Sequence, residues 1–293
     1  RSFFYRVLSD VGKRIEELDD RLSYLKGVQL IREHTRMEEI EFIFKHALVQ
    51  EAAYESILQK RKKELHLEVG NSIESIFDNN LHEFYGMLAF HYLKAENYEK
   101  AEKYMLKAGE QALNMSASSE ALMYFQQGLR LYVSKYNDNS DPEKMALFER
   151  SIAIAFYNKG QFEDAMVYFD RALERRGMTS PKNNFAMVFR WFRDFTNLIL
   201  RLYFPIKRQG ISPTEEDNET FSTIEKWLCS IGFINPKRCF FESFNALKRL
   251  NKFNIEEVRN AVSLYGFVSN ILTISSFSLN LPQKLVEHIA GLI

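Results

Sequence analysis

The sequence has few of the residues that interrupt helices. It contains 12 glycines and 6 prolines in 293 residues, whereas phenylalanine (25) and tyrosine (14) are abundant. Glycine and proline are the residues least suited to a helix interior, and large apolar side chains fill cores. The composition therefore favours an all-α protein over a β-rich one, and the length is sufficient for two or three domains.

The chain also lacks an excess charge of either sign and has few cysteines. Its 39 basic and 39 acidic side chains give a formal net charge of zero, so the balance does not favour nucleic acid or an anionic membrane as a partner. The two cysteines, Cys229 and Cys239, lie in an apolar context. We interpret both as reduced and buried, which indicates a reducing, cytoplasmic compartment.

Long uninterrupted apolar segments are missing from the sequence. The best candidate for a membrane span, residues 185–204, contains Arg190, Arg193, Asp194 and Arg201, and charges at membrane depth are costly. The sequence therefore predicts no membrane association. The chain opens with arginine and without a signal peptide, which predicts a segment of a longer cytoplasmic protein.

The sequence also lacks the motifs of catalysis and metal binding. No glycine-rich phosphate loop ends in Lys-Ser or Lys-Thr. His82, Glu83 and His91 do not have the HExxH spacing of a zinc site. The basic run at residues 60–63 has no interleaved aromatics, so we interpret it as a solvated helix start. Within these residues we predict no catalytic group, no metal ligand and no bound cofactor.

The most informative stretch of the sequence spans residues 42–66. Apolar residues alternate through Ile40, Phe42 and Phe44, as in a strand, and a helix follows after His46. Along that helix apolar side chains recur at four-residue steps, which predicts one buried face. Its members are Leu48, Val49, Ala52, Ala53 and Ile57.

Two helices and two strands are predicted before that helix. Gly27 stands where the C-cap of the second helix belongs. The strands are predicted at residues 28–31 and 40–44, joined into a hairpin by the polar residues 32–39. The order helix, helix, strand, strand, helix is typical of a winged-helix domain, which we predict for residues 1–60. An irregular helical cap is the alternative.

Residues 61–180 show the pattern of tetratricopeptide-like repeats, in which two helices pair through small residues. Ala89 and Ala101 would let one pair of helices approach closely, and Tyr92 and Tyr98 are predicted to fill the space beside them. The matching positions are Tyr85, Leu88, Ala89, Tyr92, Ala101 and Ala108 in one unit, and Ile152, Ala153, Phe156, Gly160, Phe162, Ala165, Phe169 and Ala172 in another.

Helical patterns fill the rest of the chain. Between the two matches, a helix with Ala121, Phe125 and Gly128 forms a shortened unit. Residues 181–293 are predicted to be further helical repeats, truncated at their end. Their helices are predicted at residues 183–203, 221–231, 240–250, 255–265 and 281–293, with a polar linker at 205–218. The predicted fold class is thus all-α, a tetratricopeptide-like helical solenoid preceded by a small winged-helix domain.

Two segments of the sequence resemble a known family. The runs FKHALVQEAAYESILQKRKKELH and YEKAEKYMLKAGEQALNMSASSEALMYFQQGLRLY resemble the winged-helix and tetratricopeptide-repeat region of class III adenylate or guanylate cyclases of the soluble adenylate cyclase type. In that family a STAND-type ATPase precedes the region. The resemblance covers roughly residues 1–177, and related ATPase-repeat chains also occur beside kinases and transcription regulators.

The resemblance implies a nucleotide-sensing role for His46. In STAND ATPases a histidine at the start of the helix after the wing can face the phosphates of the bound nucleotide, and His46 occupies that position by resemblance. An imidazole there could donate to a phosphate and titrates near neutral pH. The alternative is that His46 only caps or packs at the junction of strand and helix. ATP or ADP and Mg are implied for upstream domains of the parent, not for this segment.

The first helix of each repeat is expected to line a groove for a protein or peptide. By repeat register, the predicted partner-binding residues are Phe90, Lys94, Arg150, Tyr157 and Asn158. Leu93 and Ile154 share that register, although packing against a neighbouring repeat is the alternative for both. The other predicted partners are the ATPase and cyclase domains of the same chain, without nucleic acid or membrane.

Two functions therefore compete. The first is a non-catalytic regulatory module of an ATPase-coupled class III cyclase. The second is an interaction scaffold, or the sensor region of a STAND transcription regulator or kinase. The sequence upstream of Arg1 would separate them. A phosphate loop together with paired metal-binding aspartates there would support the first function, and a kinase or DNA-binding domain would exclude it.

Overall fold

The computed structural model describes residues 2–13, 15–36, 38–136, 141–179, 183–203, 210–274 and 280–290. The protein is mostly helical (78%), with consecutive packed helix pairs and a small antiparallel β region at the N-terminus. The chain divides into two compact units, Arg1–Asn137 and Asp138–Ile293. The domain limits near residues 60 and 180 stay predictions.

The first unit begins with a three-stranded sheet and two helices. In chain order these are β1 (Ser2–Phe4), α1 (Tyr5–Val11), α2 (Leu18–Gly27), β2 (Ile31–Arg36) and β3 (Glu39–Phe44). The sheet order is β1-β3-β2, with both pairings antiparallel. Leu22, Ile31 and Phe42 form its small core.

The predicted hairpin exists, but its first strand lies elsewhere. β2 begins at Ile31 and runs to Arg36. Residues 28–30 are therefore outside the strand, and most of the predicted connection (residues 32–39) belongs to it. The error has a physical reason. Only Ile31 of β2 is buried and the other five residues are exposed, so the strand has no apolar alternation for a sequence pattern to detect. β1 was not predicted and has only three residues.

The prediction of a buried face on the next helix, α3 (Ala47–Glu55), is wrong. None of its residues is buried, and Leu48 remains 79% exposed. α3 packs mainly beside β3 and reaches α4 through Tyr54. Its apolar side is therefore open to solvent, and the four-residue spacing reports an amphipathic helix whose apolar face has no partner in this unit.

The remainder of the first unit is a run of helices, each packed on the next. These are α4 (Gln59–Ile76), a 3-10 helix (Asp78–Phe84), α5 (Tyr85–Lys94), α6 (Tyr98–Asn114) and α7 (Ser118–Tyr136). Ala89, Tyr92 and Ala101 are almost fully buried where α5 meets α6. Tyr98, however, is 37% exposed, so the prediction that it fills the space beside the alanines is wrong.

A polar clasp ties α4, α5 and α6 together. The carboxylate of Glu74 accepts hydrogen bonds from the hydroxyls of Tyr92 (2.5 Å) and Tyr104 and from the ammonium of Lys100 (2.5 Å). The rings of Tyr92 and Tyr104 stack with centroids 5.7 Å apart. These hydrogen bonds lower the pKa of Glu74 although burial opposes them, and they join three helices at one carboxylate.

The second unit continues with helix pairs. Its elements are α8 (Pro142–Asn158), α9 (Phe162–Arg175), α10 (Asn184–Tyr203), α11 (Glu215–Ile234), α12 (Pro236–Leu250), a 3-10 helix (Ile255–Glu257), α13 (Ala261–Ile274) and α14 (Asn280–Ala290). α8 packs on α9, α11 on both α9 and α12, and α13 on α14. Ala153 and Ala165 are fully buried, and Gly160 has the positive φ (73°) that suits the turn between α8 and α9.

Two predicted boundaries in the second unit need correction. Residues 255–265 are not one helix, because the short 3-10 helix ends at Glu257 and α13 begins only at Ala261. The predicted linker is helical from Glu215, where Thr214 and Asp217 form a capping box. α14 is described as far as Ala290. Residues 205–209 of the predicted linker and residues 291–293 of the predicted last helix lie outside the described part of the chain.

The second unit has its own polar clasp. The carboxylate of Asp170 on α9 accepts a hydrogen bond from the indole N–H of Trp227 (2.8 Å) and two from the guanidinium of Arg238 (2.7 and 3.0 Å). The Arg238 guanidinium also lies 5.6 Å from the centre of the Trp227 ring. The bidentate contact with Arg238 fixes α9 to α12, and the hydrogen bond from Trp227 fixes α9 to α11.

Two further predictions concern the membrane and the cysteines. Among the described residues, no helix has the length and apolar character needed to cross a membrane. Both cysteines are free thiols, and Cys239 is buried, but Cys229 is only half-buried. Burial raises the pKa of the Cys239 thiol to about 12, so this thiol is unreactive at neutral pH.

We expect Gly109→Ala to destabilise the first unit. A Cβ at this position would lie 2.4 Å from a ring carbon of Phe125, and that ring is fully buried and cannot move aside. The overpacking should outweigh the better helix propensity of alanine and lower the free energy of unfolding by about 1–2 kcal/mol. Urea denaturation followed by circular dichroism measures this change.

The matched control is Gly27→Ala in the same unit. No atom lies within 4 Å of a Cβ built at Gly27, so this variant should stay within about 0.5 kcal/mol of wild type. Equal stability of the Gly109 and Gly27 variants would contradict the close packing of α6 on α7.

Candidate functional site

His46 lies at the junction between the sheet and the helices. It is the residue before α3, has an extended backbone (φ −120°, ψ 117°) and is exposed to solvent. Its side chain makes no capping hydrogen bond to the helix. The imidazole is thus free to reach a group outside the unit, whereas nucleotide sensing by His46 stays a prediction.

The predicted partner-binding residues of the first unit lie together on α5. Phe90 is 50% exposed and Lys94 is exposed, with the Lys94 ammonium 5.9 Å from the centre of the Phe90 ring. Leu93 instead packs against the core of the unit, which agrees with the alternative considered for it. Phe90 and Lys94 form one edge of a polar cluster that the sequence did not reveal.

That cluster, which we call the histidine cluster, consists of Tyr54, His66, Phe90, His91 and Lys94. The Nδ1 atoms of His66 and His91 are 3.0 Å apart, and the hydroxyl of Tyr54 is 3.0 Å from Nε2 of His66. The Phe90 ring meets the His66 ring edge-on, with centroids 5.6 Å apart. The cluster therefore joins α3, α4 and α5 at one point.

Either neutral tautomer of His66 satisfies both of its contacts. With the proton on Nδ1, His66 donates to Nδ1 of His91 and its Nε2 accepts from the hydroxyl of Tyr54; with the proton on Nε2, both directions are reversed. Burial lowers the pKa of His66, and the charge of Lys94 lowers it further. Burial also lowers the pKa of His91 to about 4, with a smaller contribution from His66. Both imidazoles are therefore neutral at neutral pH.

A buried lysine lies beside the cluster. The side chain of Lys62 is only 5% exposed, and its ammonium donates to Glu55 (2.7 Å) and lies 4.5 Å from the centre of the Tyr54 ring. Tyr54 and Glu55 are the last two residues of α3. The end of α3 is thus held to α4 by an ion pair, a cation–π contact and the hydrogen bond to His66.

The other predicted partner-binding residues lie on α8 in the second unit. The Arg150 side chain is only 17% exposed and forms an ion pair with Glu219 of α11 (2.7 Å). Tyr157 is half-buried, meets the ring of Phe162, and has its pKa raised by burial and by Cys229. Only Asn158 of the three is exposed. Ile154 is half-buried. Partner binding by this set stays a prediction.

The sequence held little signal for the histidine cluster. His66 and His91 are 25 positions apart, on helices whose apolar periodicity shows that each is packed but not which polar residues meet. Among the described residues, no group of three or more His, Cys, Asp or Glu side chains could hold a metal ion. No protein-family model and no curated protein matches the chain.

The neutral histidine pair predicts a pH dependence of stability. The folded-state pKa of His91 lies below its ordinary value of 6.5. The neutral imidazole of His91 therefore stabilises the fold fully above pH 6.5, and this stabilisation is lost as the pH falls towards 4. In His91→Gln no imidazole can take up the proton. When the pH is lowered from about 7.5 to about 5, the free energy of unfolding of wild type should therefore fall by about 2 kcal/mol relative to that of His91→Gln.

Urea denaturation at several pH values measures this gap. His82→Gln is the matched control, because His82 is an exposed histidine on the neighbouring 3-10 helix, and it should follow wild type at every pH. A gap for His91→Gln that does not vary with pH would contradict the assignment of a neutral buried pair.

Proposed function

We propose that this chain is a non-catalytic regulatory module of a multidomain signalling protein, namely the winged-helix and tetratricopeptide-like repeat region of an ATPase-coupled class III nucleotide cyclase. In this proposal the residues 1–60 form the winged helix and the helices that follow form the repeats. The cyclic nucleotide is made by other domains of the parent, which also bind ATP or ADP and Mg.

The exposed junction at the start of α3 is the observation that carries the proposal. His46 is exposed directly after the central strand of the sheet, and the apolar side chains of Leu48 and Leu58 nearby are 79% and 80% exposed. A titratable donor beside an open apolar face suits docking of a nucleotide-binding domain. The element order strand, helix, helix, strand, strand, helix and the consecutive helix pairs also support the proposal.

The end of α3 offers a route from this junction to the repeats. Tyr54 and Glu55 contact His66 and Lys62 on α4, and His66 contacts His91 on α5. A partner held by Phe90 and Lys94 would touch the same cluster. Its binding could then bias the position of α3 against the ATPase by a coupling free energy of about 1–3 kcal/mol.

The test uses His46→Ala in the full-length protein. We expect weaker retention of bound nucleotide and a changed basal cyclase output, because a phosphate contact is removed. His34→Ala is the matched control, since His34 is an exposed histidine on β2 of the same sheet. Bound nucleotide is measured by chromatography after denaturation, and cyclic nucleotide by immunoassay. Identical behaviour of the two variants would remove His46 from the mechanism.

The second candidate function is an interaction scaffold, or the sensor region of a STAND transcription regulator or kinase. The partly exposed Phe90 with Lys94 above its ring supports this second function as well as the first, because such a surface can bind a peptide in any parent protein. The coding sequence upstream of residue 1 separates the candidates. A kinase or DNA-binding domain there would overturn the assignment to a cyclase.

A further inference from the structure

Helix α10 packs against α12 through a face that carries both charged and aromatic side chains. The guanidinium of Arg190 donates to Glu242 (2.6 Å), and the ammonium of Lys248 donates to Asp194 (2.9 Å). The side chains of Glu242 and Asp194 are each 1% exposed. Beside these ion pairs, the rings of Trp191 and Phe195 on α10 pack against Phe244 of α12, with centroids 5.9 and 5.7 Å apart. The contact between α10 and α12 thus combines buried ion pairs with aromatic packing.

The opposite face of α10 is apolar and open to solvent. Its large side chains follow three- and four-residue steps, so they fall within about 60° of one direction around the helix axis. They are Phe185 (83% exposed), Val188 (47%), Phe189 (66%), Phe192 (62%), Leu200 (52%) and Tyr203 (46%). We call this set the outer stripe. Thr196, also on this face, donates its hydroxyl to the carbonyl of Phe192 (2.7 Å), and the stripe contains no charge.

The outer stripe supplies most of the area that one partner buries in a standard protein interface. Four partly exposed aromatic side chains with one valine and one leucine present roughly 600 Å² of apolar surface. A typical monomer surface has no apolar patch larger than about 300–600 Å², and a standard interface buries about 800 Å² per partner. The stripe is therefore at the upper limit for a monomer surface and at about three quarters of one side of a standard interface.

The stripe is complementary to itself when two copies run antiparallel. A two-fold axis near residue 194 places Phe185 opposite Tyr203 of the second copy, Val188 opposite Leu200, and Phe192 opposite Thr196. The three phenylalanines lie in the first half of α10 and the smaller side chains mostly in the second half. In an antiparallel arrangement Phe185 and Tyr203 are the only aromatic residues of the stripe that stand opposite each other, whereas a parallel two-fold arrangement sets each phenylalanine against its own copy.

Charge does not oppose this self-association. The formal net charge of the chain is zero. Two charged side chains are described at the edge of the stripe. Arg193 is paired with Asp194 of its own helix (3.0 Å), and the ammonium of Lys284 lies 3.7 Å from the centre of the Tyr203 ring. In an antiparallel pair the two copies of Lys284 stand at opposite ends of the contact, so they do not repel each other.

We infer that the outer stripe of α10 is a dimerisation surface, on which the α10 helix of a second copy of this chain packs antiparallel about a two-fold axis. This inference is independent of the proposed function, because it requires no upstream domain.

The first experiment measures mass in solution. Light scattering coupled to size-exclusion chromatography, over the micromolar range, should show the 34.5 kDa chain shifting to twice that mass as concentration rises. Phe189→Glu should remain at the monomer mass, because it places a charge in the apolar contact. Circular dichroism verifies that this variant is folded, which is expected because Phe189 is 66% exposed.

The matched control is Leu48→Glu, which charges an equally exposed apolar residue on α3 of the first unit. It should dimerise like wild type. A dimer that persists in Phe189→Glu but is lost in Leu48→Glu would overturn the inference. So would a chain that stays monomeric at every concentration, including one that is monomeric but sediments with vesicles of phosphatidylserine and phosphatidylcholine.

The second experiment tests the antiparallel direction. Phe185→Cys and Tyr203→Cys proteins are mixed and oxidised, with wild type, which retains Cys229 and Cys239, as the background. Antiparallel packing predicts a disulfide-linked dimer in the mixture and little in either protein alone. Strong linkage within each protein alone would indicate parallel helices and overturn the proposed geometry.

Discussion

Close approach of helix backbones at small residues is the constraint on which both units depend. Ala89 and Ala101 are almost fully buried where α5 packs on α6, and Ala153 and Ala165 are fully buried where α8 packs on α9. Gly109 lets the ring of Phe125 press against the backbone of α6. Larger side chains at these positions would push neighbouring helices apart, and the aromatic side chains that fill the adjacent space would lose their contacts.

The polar clasps are possible because the helices approach so closely. Glu74 meets two tyrosine hydroxyls and a lysine from α5 and α6, and Asp170 meets a tryptophan and an arginine from α11 and α12. In each case a single carboxylate is fully hydrogen-bonded by groups from different helices. Such contacts set the rotation of each helix against its neighbours, which apolar contacts alone specify less strictly.

The sequence predicted those features that depend on periodicity. Most helices, the strand at 40–44 and the burial of Leu88, Ala89, Ile152 and Phe169 follow from repeated apolar and small residues, and the structure has them. Features without periodicity were missed or misplaced. β2 has a single buried residue, and the break between Glu257 and Ala261 interrupts an otherwise helical pattern. Amphipathic spacing also indicates which face is apolar without indicating whether anything covers it, as α3 demonstrates.

The candidate site was less predictable than the fold for the same reason. The exposure of Phe90 and Lys94 follows from repeat register, whereas the meeting of His66 with His91 and Tyr54 depends on how three helices rotate against one another. Arg150 shows the opposite error, because register placed it on an open groove and the structure pairs it with Glu219. Local patterns specify the orientation of a side chain about its own helix, and the identity of its neighbours is a tertiary property.

The charged contact between α10 and α12 has an evolutionary consequence. Removing only Lys248 would take a cationic partner from the Asp194 carboxylate, whose side chain is only 1% exposed, and a buried charge that loses compensation is strongly destabilising. Replacing both residues with apolar side chains of similar volume would be far better tolerated. Among related sequences, positions 194 and 248 should therefore covary, as should positions 190 and 242, with each pair either charged on both sides or apolar on both sides.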